Sequence, residues 1–256
     1  MKDRVIGGTL VFIITAALIA IGGIGLKIAC MAAGCIGAFE IFKAAGIQNN
    51  RVTWIIYPAI IVFGLFCKDN ISLCIVIAVT MIYLIVVSLS YPRFKYSFTR
   101  IWLLGFFYTG IMFFTIFLIR NRDDGLFYSS LALFTAWGCD VFAFFTGSKF
   151  GKHHPFPLLS PKKSTEGCIG GILGGFVIGL LLALVFNQNI GTTVLVSGVC
   201  AVFSELGDLA ASSIKRQFGI KDYGNLIRGH GGLMDRFDSF LFTGSIVYLC
   251  IRLLGF

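Results

Sequence analysis

The sequence predicts an all-α fold, a polytopic transmembrane helix bundle of about nine spans with its N-terminus in the cytoplasm. Three observations support this prediction. First, 57% of the 256 residues are hydrophobic and 13% are charged, a balance outside the range of soluble domains. Second, the apolar residues are gathered into runs that are long enough, or nearly long enough, to cross a bilayer. Third, Lys and Arg are distributed unequally between the two ends of these runs.

Short polar segments separate nine apolar runs. The second run contains Glu40 and Lys43, which are three residues apart on a helix, so an ion pair near the inner end of the span is the simplest role for them. The third run is short and contains Pro58. The predicted spans lie at about 5–26, 28–46, 52–67, 71–89, 98–119, 125–148, 168–186, 190–214 and 238–256.

The orientation follows from the positive charges. With the N-terminus in the cytoplasm, sixteen of the 21 Lys and Arg residues lie on the cytoplasmic side and five on the other side. This bias obeys the positive-inside rule and places the C-terminus outside. The net charge of +9 is therefore a signal of topology, and no basic and aromatic module typical of nucleic-acid binding is visible. The cytoplasmic cations would also attract anionic lipid headgroups.

The segment 204–239 departs from the apolar pattern, because five carboxylates alternate there with five basic side chains. In a helix, Glu205, Asp208, Ser212 and Lys215 would share one face. Asp208 would lie roughly 10 Å from the helix end at Lys215. A carboxylate at membrane depth costs about 2.5–3.5 kcal/mol, so it usually faces a polar cavity or a protein interior. We interpret Asp208 as functional, and a salt-bridged loop that caps a helix end is the alternative.

The second half of this segment combines glycines with charges. Gly229, Gly231 and Gly232 surround His230 and allow positive φ and close approach of the backbone to a ligand. The sequence Asp-Arg-Phe-Asp follows at 235–238. Carboxylates that hold a hard cation, together with Lys or Arg and a glycine-rich turn, are what a metal-bound polyphosphate requires.

A second polar region lies upstream. Asp140 is another carboxylate within a span, and the loop that follows this span contains Ser-Pro-Lys-Lys-Ser-Thr-Glu-Gly at 160–167. Two cations and two hydroxyls before a helix N-terminus favour an anionic ligand. The adjacent His153 and His154 do not form a metal site by themselves. In the next span, pairs of glycines four residues apart indicate a face for close helix packing: Gly170, Gly171, Gly174, Gly175 and Gly179.

Three spaced motifs resemble the C-terminal signature of phosphatidate cytidylyltransferases, also called CDP-diacylglycerol synthases. They are Ser-Ser-Ile-Lys-Arg at 212–216, Lys-Asp-Tyr-Gly at 221–224 and His-Gly-Gly-Leu-Met-Asp-Arg-Phe-Asp at 230–238. The segments 140–151 and 160–167 also resemble the family. The resemblance is strong over about 137–175 and 200–240, and the N-terminal third resembles the family in topology only. Three residues differ from the family pattern: Arg228 replaces a Pro, Phe144 replaces a Tyr and Ser164 replaces a Thr.

The resemblance implies transfer of CMP from CTP to phosphatidic acid, which yields CDP-diacylglycerol and pyrophosphate for phospholipid biosynthesis. It implies Mg²⁺ as cofactor, held by Asp208 and Asp235 with Ser212 nearby, and leaves a second cation open. The implied catalytic residues are Asp208, Asp235, Lys215 and Arg236. The implied substrate-binding residues are Ser160, Lys162, Lys163, Ser164, Glu166, Asp140, Glu205, Ser212, Arg216, Lys221, Asp222, His230, Gly231, Gly232 and Asp238.

On this interpretation residues 1–97 are N-terminal transmembrane helices with little chemistry, and 98–256 form the catalytic transmembrane region with cytoplasmic loops 149–167 and 215–238. The expected partners are CTP, phosphatidic acid from the inner leaflet and other membrane lipid, but no nucleic acid. The expected location is the cell inner membrane with the site facing the cytoplasm, and twofold dimers are the general default. The alternatives are a CTP-dependent lipid or polyprenol kinase, an archaeol-type cytidylyltransferase, a transporter and a scaffold without activity.

Overall fold

The computed structural model describes residues 2–67, 70–93, 97–224, 226 and 231–256. Within these ranges the chain forms nine helices and no β-strand, which confirms the all-α prediction. Helix α3 is preceded by a 3-10 turn at Arg51–Ile55. We number the helices α1 Lys2–Ile21, α2 Gly23–Ala44, α3 Ile56–Phe66, α4 Ile71–Leu89, α5 Phe98–Arg120, α6 Gly125–Phe150, α7 Thr165–Phe186, α8 Ile190–Gln217 and α9 Met234–Leu254.

Seven helices, α2 and α4 to α9, are long and apolar enough to cross a membrane. The apolar stretches Gly7–Ile21 in α1 and Arg51–Phe66 around α3 are shorter than these seven. Each predicted apolar run is therefore a helix, although two of the nine fall below the length of an ordinary span. The cytoplasmic position of the N-terminus stays a prediction.

Contacts at both ends of the bundle show that successive helices alternate in direction. At one end, Arg120 donates hydrogen bonds to the carbonyls of Ile19 (2.7 Å) and Ala20 (3.1 Å), so the last residue of α5 lies beside the end of α1. At the opposite end, Trp102 near the start of α5 donates to the carbonyl of Val52 at 3.1 Å. This alternation brings the loops after α2, α4, α6 and α8 to the same end of the bundle.

The glycines of α7 allow this helix to pack closely between α6 and α8. A Cβ atom on Gly174 would overlap the ring of Phe142 in α6. A Cβ atom on Gly175 would overlap Ala201 in α8, and one on Gly179 would lie 2.6 Å from Ser197 Cβ. The predicted packing face is confirmed, and it divides between two neighbouring helices.

Helix α2 packs against a π-helical segment of α5, Gly105–Ile111. The hydroxyl of Thr109 in this segment donates to the carbonyl of Gly34 at 2.9 Å. A Cβ atom on Gly37 would lie 2.8 Å from Met234 Sδ and 3.1 Å from Thr109 Cβ. Glycines on one face of α2 thus let this helix approach both α5 and the start of α9.

We expect Gly175→Val to destabilise the protein by about 1–3 kcal/mol, because overpacking of a close helix contact forces the backbones apart. The matched control is Gly25→Val in α2, since a Cβ atom there has no neighbour within 4 Å. Thermal unfolding of the purified protein in detergent measures both effects. Equal loss of stability in the two variants would contradict this account of α7.

Candidate active site

The loop between α6 and α7 is tied to α8 by Lys163. Its Nζ atom lies 2.7 Å from Glu205 Oε2 and 2.7 Å from Asp208 Oδ2, and it donates to the carbonyl of Glu205 at 3.1 Å. Burial on its own lowers the pKa of Lys163, but the charges of Asp208 and Glu205 outweigh burial and hold this pKa above its ordinary value. Lys163 therefore remains a cation between two carboxylates.

Glu166 folds the same loop back onto the first turn of α7. Its Oε2 atom accepts hydrogen bonds from the amides of Lys152 (3.1 Å) and His153 (3.3 Å), and its Oε1 atom lies 2.6 Å from His153 Nδ1. Ser164 is the N-cap of α7, because its hydroxyl accepts from the amide of Gly167 at 3.1 Å. Glu166 and Ser164 thus fix the loop that carries Lys163.

A cavity of about 390 Å³ lies between this loop, α6 and α8. The side chain of Asp208 is 36% exposed and that of Lys163 is 12% exposed, so the carboxylate has more access to the cavity than its partner. Phe144 lines the cavity and is also 69% exposed. The cavity brings together seven of the predicted site residues: Asp140, Ser160, Lys162, Lys163, Ser164, Glu205 and Asp208.

A second charged cluster joins the end of α8 to the start of α9. Lys215 donates to Asp235 Oδ1 at 2.8 Å and lies 5.4 Å from the ring centroid of Tyr223. Asp235 Oδ2 accepts from the amides of Tyr223 and Gly232, both at 2.8 Å. The side chain of Asp235 is only 3% exposed, so both of its oxygens are occupied within the protein.

Electrostatic interactions connect the cavity with this second cluster. The charges of Asp208 and Lys215 act on Asp238, which is buried on α9. The charges of Asp208 and Asp238 in turn act on Asp140. Lys215, which is on α8 with Asp208 and binds Asp235 of α9, therefore links the carboxylates of the two helices. The connected groups comprise five carboxylates and two ammonium groups: Asp140, Glu205, Asp208, Asp235, Asp238, Lys163 and Lys215.

The other predicted residues lie around these clusters. Arg216 stabilises the loops, since its Nε donates to the carbonyl of Leu159 at 3.3 Å and its Nη1 to that of Ile220 at 3.0 Å. Ser212 is buried on α8, Lys221 and Asp222 are exposed in the loop before α9, and Arg236 is half-buried in the first turn of α9. His230, together with Arg228 and Gly229, lies outside the described residues.

Glu40 was not predicted to belong to the site. It is 4% exposed, and its carboxylate accepts from the amides of Leu233 (2.8 Å) and Met234 (2.9 Å). The spacing in the sequence predicted an ion pair between Glu40 and Lys43. The charge of Lys43 does act on Glu40, but the carboxylate oxygens of Glu40 accept hydrogen bonds from the start of α9. The only sequence signal was a carboxylate within an apolar run, since a contact across 193 residues leaves no local pattern.

Gly231 and Gly232 lie so close to two carboxylates that a side chain at either position would overlap them. Gly231 has a φ of +88°, as predicted for this turn, and a Cβ atom there would lie 2.6 Å from Asp235 Oδ2. A Cβ atom on Gly232 would lie 2.5 Å from Glu40 Oε1. The backbone at these positions therefore approaches side chains of the protein itself.

In the part of the chain that the structure describes, no three His, Cys, Asp or Glu side chains are arranged to hold a metal ion. Mg²⁺ seldom uses such an all-protein cage, because it is usually bound by one or two carboxylates together with water and substrate phosphates. The donor set fits that mode: Asp208 has access to the cavity, and the connected carboxylates outnumber the ammonium groups by three.

Fold and site together define a class, a polytopic helical membrane protein with a carboxylate-rich polar cavity at one end of the bundle. A family model described as the cytidylyltransferase family matches residues 2–254. The chain belongs to this family.

Relatives named phosphatidate cytidylyltransferase agree with this assignment. The protein from Bacillus subtilis is 32% identical to this chain over 266 aligned residues, which cover 99% of this chain and 98% of the relative. The protein from Staphylococcus haemolyticus is 38% identical over 177 residues, which cover 68% of this chain and 67% of the relative. The resemblance seen in the motifs is therefore confirmed at the level of the family.

We expect Lys163→Met to destabilise the protein by about 2–3 kcal/mol, since it leaves Glu205 and Asp208 facing each other without a cation. The loss is smaller than for a fully buried pair because Asp208 is 36% exposed. Thermal unfolding measures it, and Lys162→Met is the control because Lys162 is exposed in the same loop. A stability change no larger than that of the control would contradict the role given to Lys163.

Proposed function

We propose that this chain is a Mg²⁺-dependent phosphatidate cytidylyltransferase that converts CTP and phosphatidic acid into CDP-diacylglycerol and pyrophosphate. Membership of the cytidylyltransferase family and the names of the relatives support the reaction. The observation that carries the proposal is the polar cavity at one end of an apolar bundle, where Lys163 and Asp208 meet. Two polyanions must be aligned there at the boundary between lipid and water.

The reaction needs alignment and charge neutralisation more than acid–base chemistry. An oxygen of the lipid phosphate attacks the α-phosphorus of CTP, a new P–O bond forms, and the bond to pyrophosphate breaks. The attacking oxygen is already anionic, so no general base has to remove a proton. Lys162 and Lys163 would bind phosphate oxygens at the cavity, and Lys215, Arg216, Lys221 and Arg236 are proposed to take the remaining negative charge.

We propose that Mg²⁺ is held by Asp208 at the cavity and by Asp235, with Ser212 nearby. Bound there, the cation would neutralise charge on the phosphates and stabilise the leaving pyrophosphate. Asp208 already faces the cavity, whereas Asp235 binds Lys215 and two backbone amides. Metal binding by Asp235 would thus use the remaining lone pairs of its oxygens or exchange one of these bonds.

The site is proposed to face the cytoplasm and to receive phosphatidic acid from the inner leaflet of the cell membrane. The loops that border it contain many of the Lys and Arg residues on which the orientation rests. Phe144 lines the cavity and is largely exposed, which supports an opening toward acyl chains. For the assembly we propose a twofold homodimer, the commonest arrangement among soluble oligomers.

Incubation of the purified protein with cytidine-labelled CTP, phosphatidic acid and Mg²⁺ tests the reaction. We expect a lipid-extractable cytidine product and one pyrophosphate released per product, only when the lipid is present. Release of CDP without cytidine in the lipid phase would instead indicate a kinase. Preference for an ether-linked isoprenoid glycerol phosphate would indicate the archaeol-type reaction.

We expect Asp208→Asn to lower kcat at least 100-fold, because an amide is a much weaker ligand for Mg²⁺ than a carboxylate. Initial rates measured over a range of Mg²⁺ concentrations check this expectation. The control is Asp123→Asn, since Asp123 lies in the loop between α5 and α6 at the opposite end of the bundle. Near-native turnover of Asp208→Asn at low Mg²⁺ would refute the metal assignment.

A further inference from the structure

Three consecutive amides before and at the start of α9 are bonded to carboxylates. Gly232 donates to Asp235 Oδ2 at 2.8 Å, and Leu233 and Met234 donate to the two oxygens of Glu40 at 2.8 and 2.9 Å. The first amides of a helix have no partner within the helix, so these bonds meet a need that water cannot meet at a buried end. The negative charge of Glu40 also suits the positive end of the helix dipole.

Glu40 is on a helix that packs closely against α5 and the start of α9. Gly34 and Gly37 bring α2 close to the π-helical segment of α5, where Thr109 donates to the carbonyl of Gly34. Met234, the first residue of α9, packs against the same face of α2 at Gly37. Contacts on two sides therefore fix the height of Glu40 in the bundle.

The contact between Glu40 and the start of α9 sets the positions of the charged residues that follow on this helix. Asp235 lies in the first turn of α9, directly after the two amides that Glu40 accepts, and its Oδ1 atom binds Lys215. Asp238 lies one turn further along α9 and interacts with Asp208. A shift of the start of α9 would move both carboxylates relative to α8, and a displacement of 1 Å is enough to slow an aligned reaction strongly.

We propose that Glu40 is a positioning residue of the active site, which clamps the amides of Leu233 and Met234 and so holds Asp235 against Lys215. The proposal rests on the function proposed above and extends the site into the N-terminal helices. Glu40 does not line the cavity, so its effect is transmitted through the start of α9.

The test compares Glu40→Gln with Thr135→Val. The amide of Gln keeps the size of Glu but places a donor against one backbone donor, so one bond of the clamp is lost. Thr135→Val removes a buried hydrogen bond between α6 and α8, from Thr135 to the hydroxyl of Ser197, and neither helix carries Glu40 or the amides that it accepts. Hydrogen exchange of the amides in 231–238, thermal unfolding, kcat and KM for CTP are measured for both variants and for the wild type.

In Glu40→Gln we expect at least tenfold faster exchange in 231–238 and at least a tenfold lower kcat, with KM for CTP changed by less than threefold. In Thr135→Val we expect exchange in 231–238 and kcat to match the wild type even where thermal stability is lowered. A native kcat in Glu40→Gln overturns the proposal. Equal losses of kcat in two variants of equal stability also overturn it, because Glu40 would then act only through stability.

The exchange measurement separates this proposal from the proposed function. If the wild type makes no cytidine lipid, the function fails, and exchange in 231–238 still decides whether Glu40 clamps α9. Unchanged exchange in Glu40→Gln overturns the clamp whatever the activity. Should Glu40→Gln fail to fold, Gly232→Ala replaces it, because the added methyl group would push Glu40 Oε1 away from the amides.

Discussion

The bonds of Lys163 to Glu205 and Asp208 are the constraint on which the site depends. The buried ammonium of Lys163 and the buried carboxylate of Glu205 are tolerable only as a pair, because either charge alone would lack compensation. The loop before α7 must therefore lie over the middle of α8, and the cavity forms beside it. Glu166 and Ser164 hold the loop in the conformation that makes these bonds.

This group contains more carboxylates than ammonium groups. Lys163 and Lys215 face five connected carboxylates, a donor set that suits the divalent cation proposed to accompany the nucleotide. In an apolar bundle, so many charged groups can be accommodated only at one end, because loops and water near that end lower the cost of burying charge. The glycines of α7 contribute by letting α6 and α8 approach closely enough for Asp140 and Glu205 to border one cavity.

Much of this arrangement was predictable because it is local. The spacing of Glu205, Asp208 and Lys215 places them on one helical face, and the glycine spacing in α7 identifies its packing face. The partners of Asp235 were not predictable in the same way. Its sequence neighbourhood suggested a metal ligand, while the structure shows bonds to Lys215 on another helix and to Tyr223 in a loop, which no sequence period encodes.

The N-terminal helices show most clearly that contacts between residues far apart in the sequence cannot be predicted from local patterns. These helices were predicted to carry little chemistry, because Glu40 is the one buried carboxylate described there and a lone charge is easily assigned to its neighbour Lys43. In a membrane, however, the amides at a buried helix end have no water to bind. Another helix must therefore supply an acceptor, and that acceptor must be held level with the start of α9 along the axis of the bundle. The glycine contacts of α2 with the π-helical segment of α5 meet that requirement, so packing far from the cavity determines where the first turn of α9 lies.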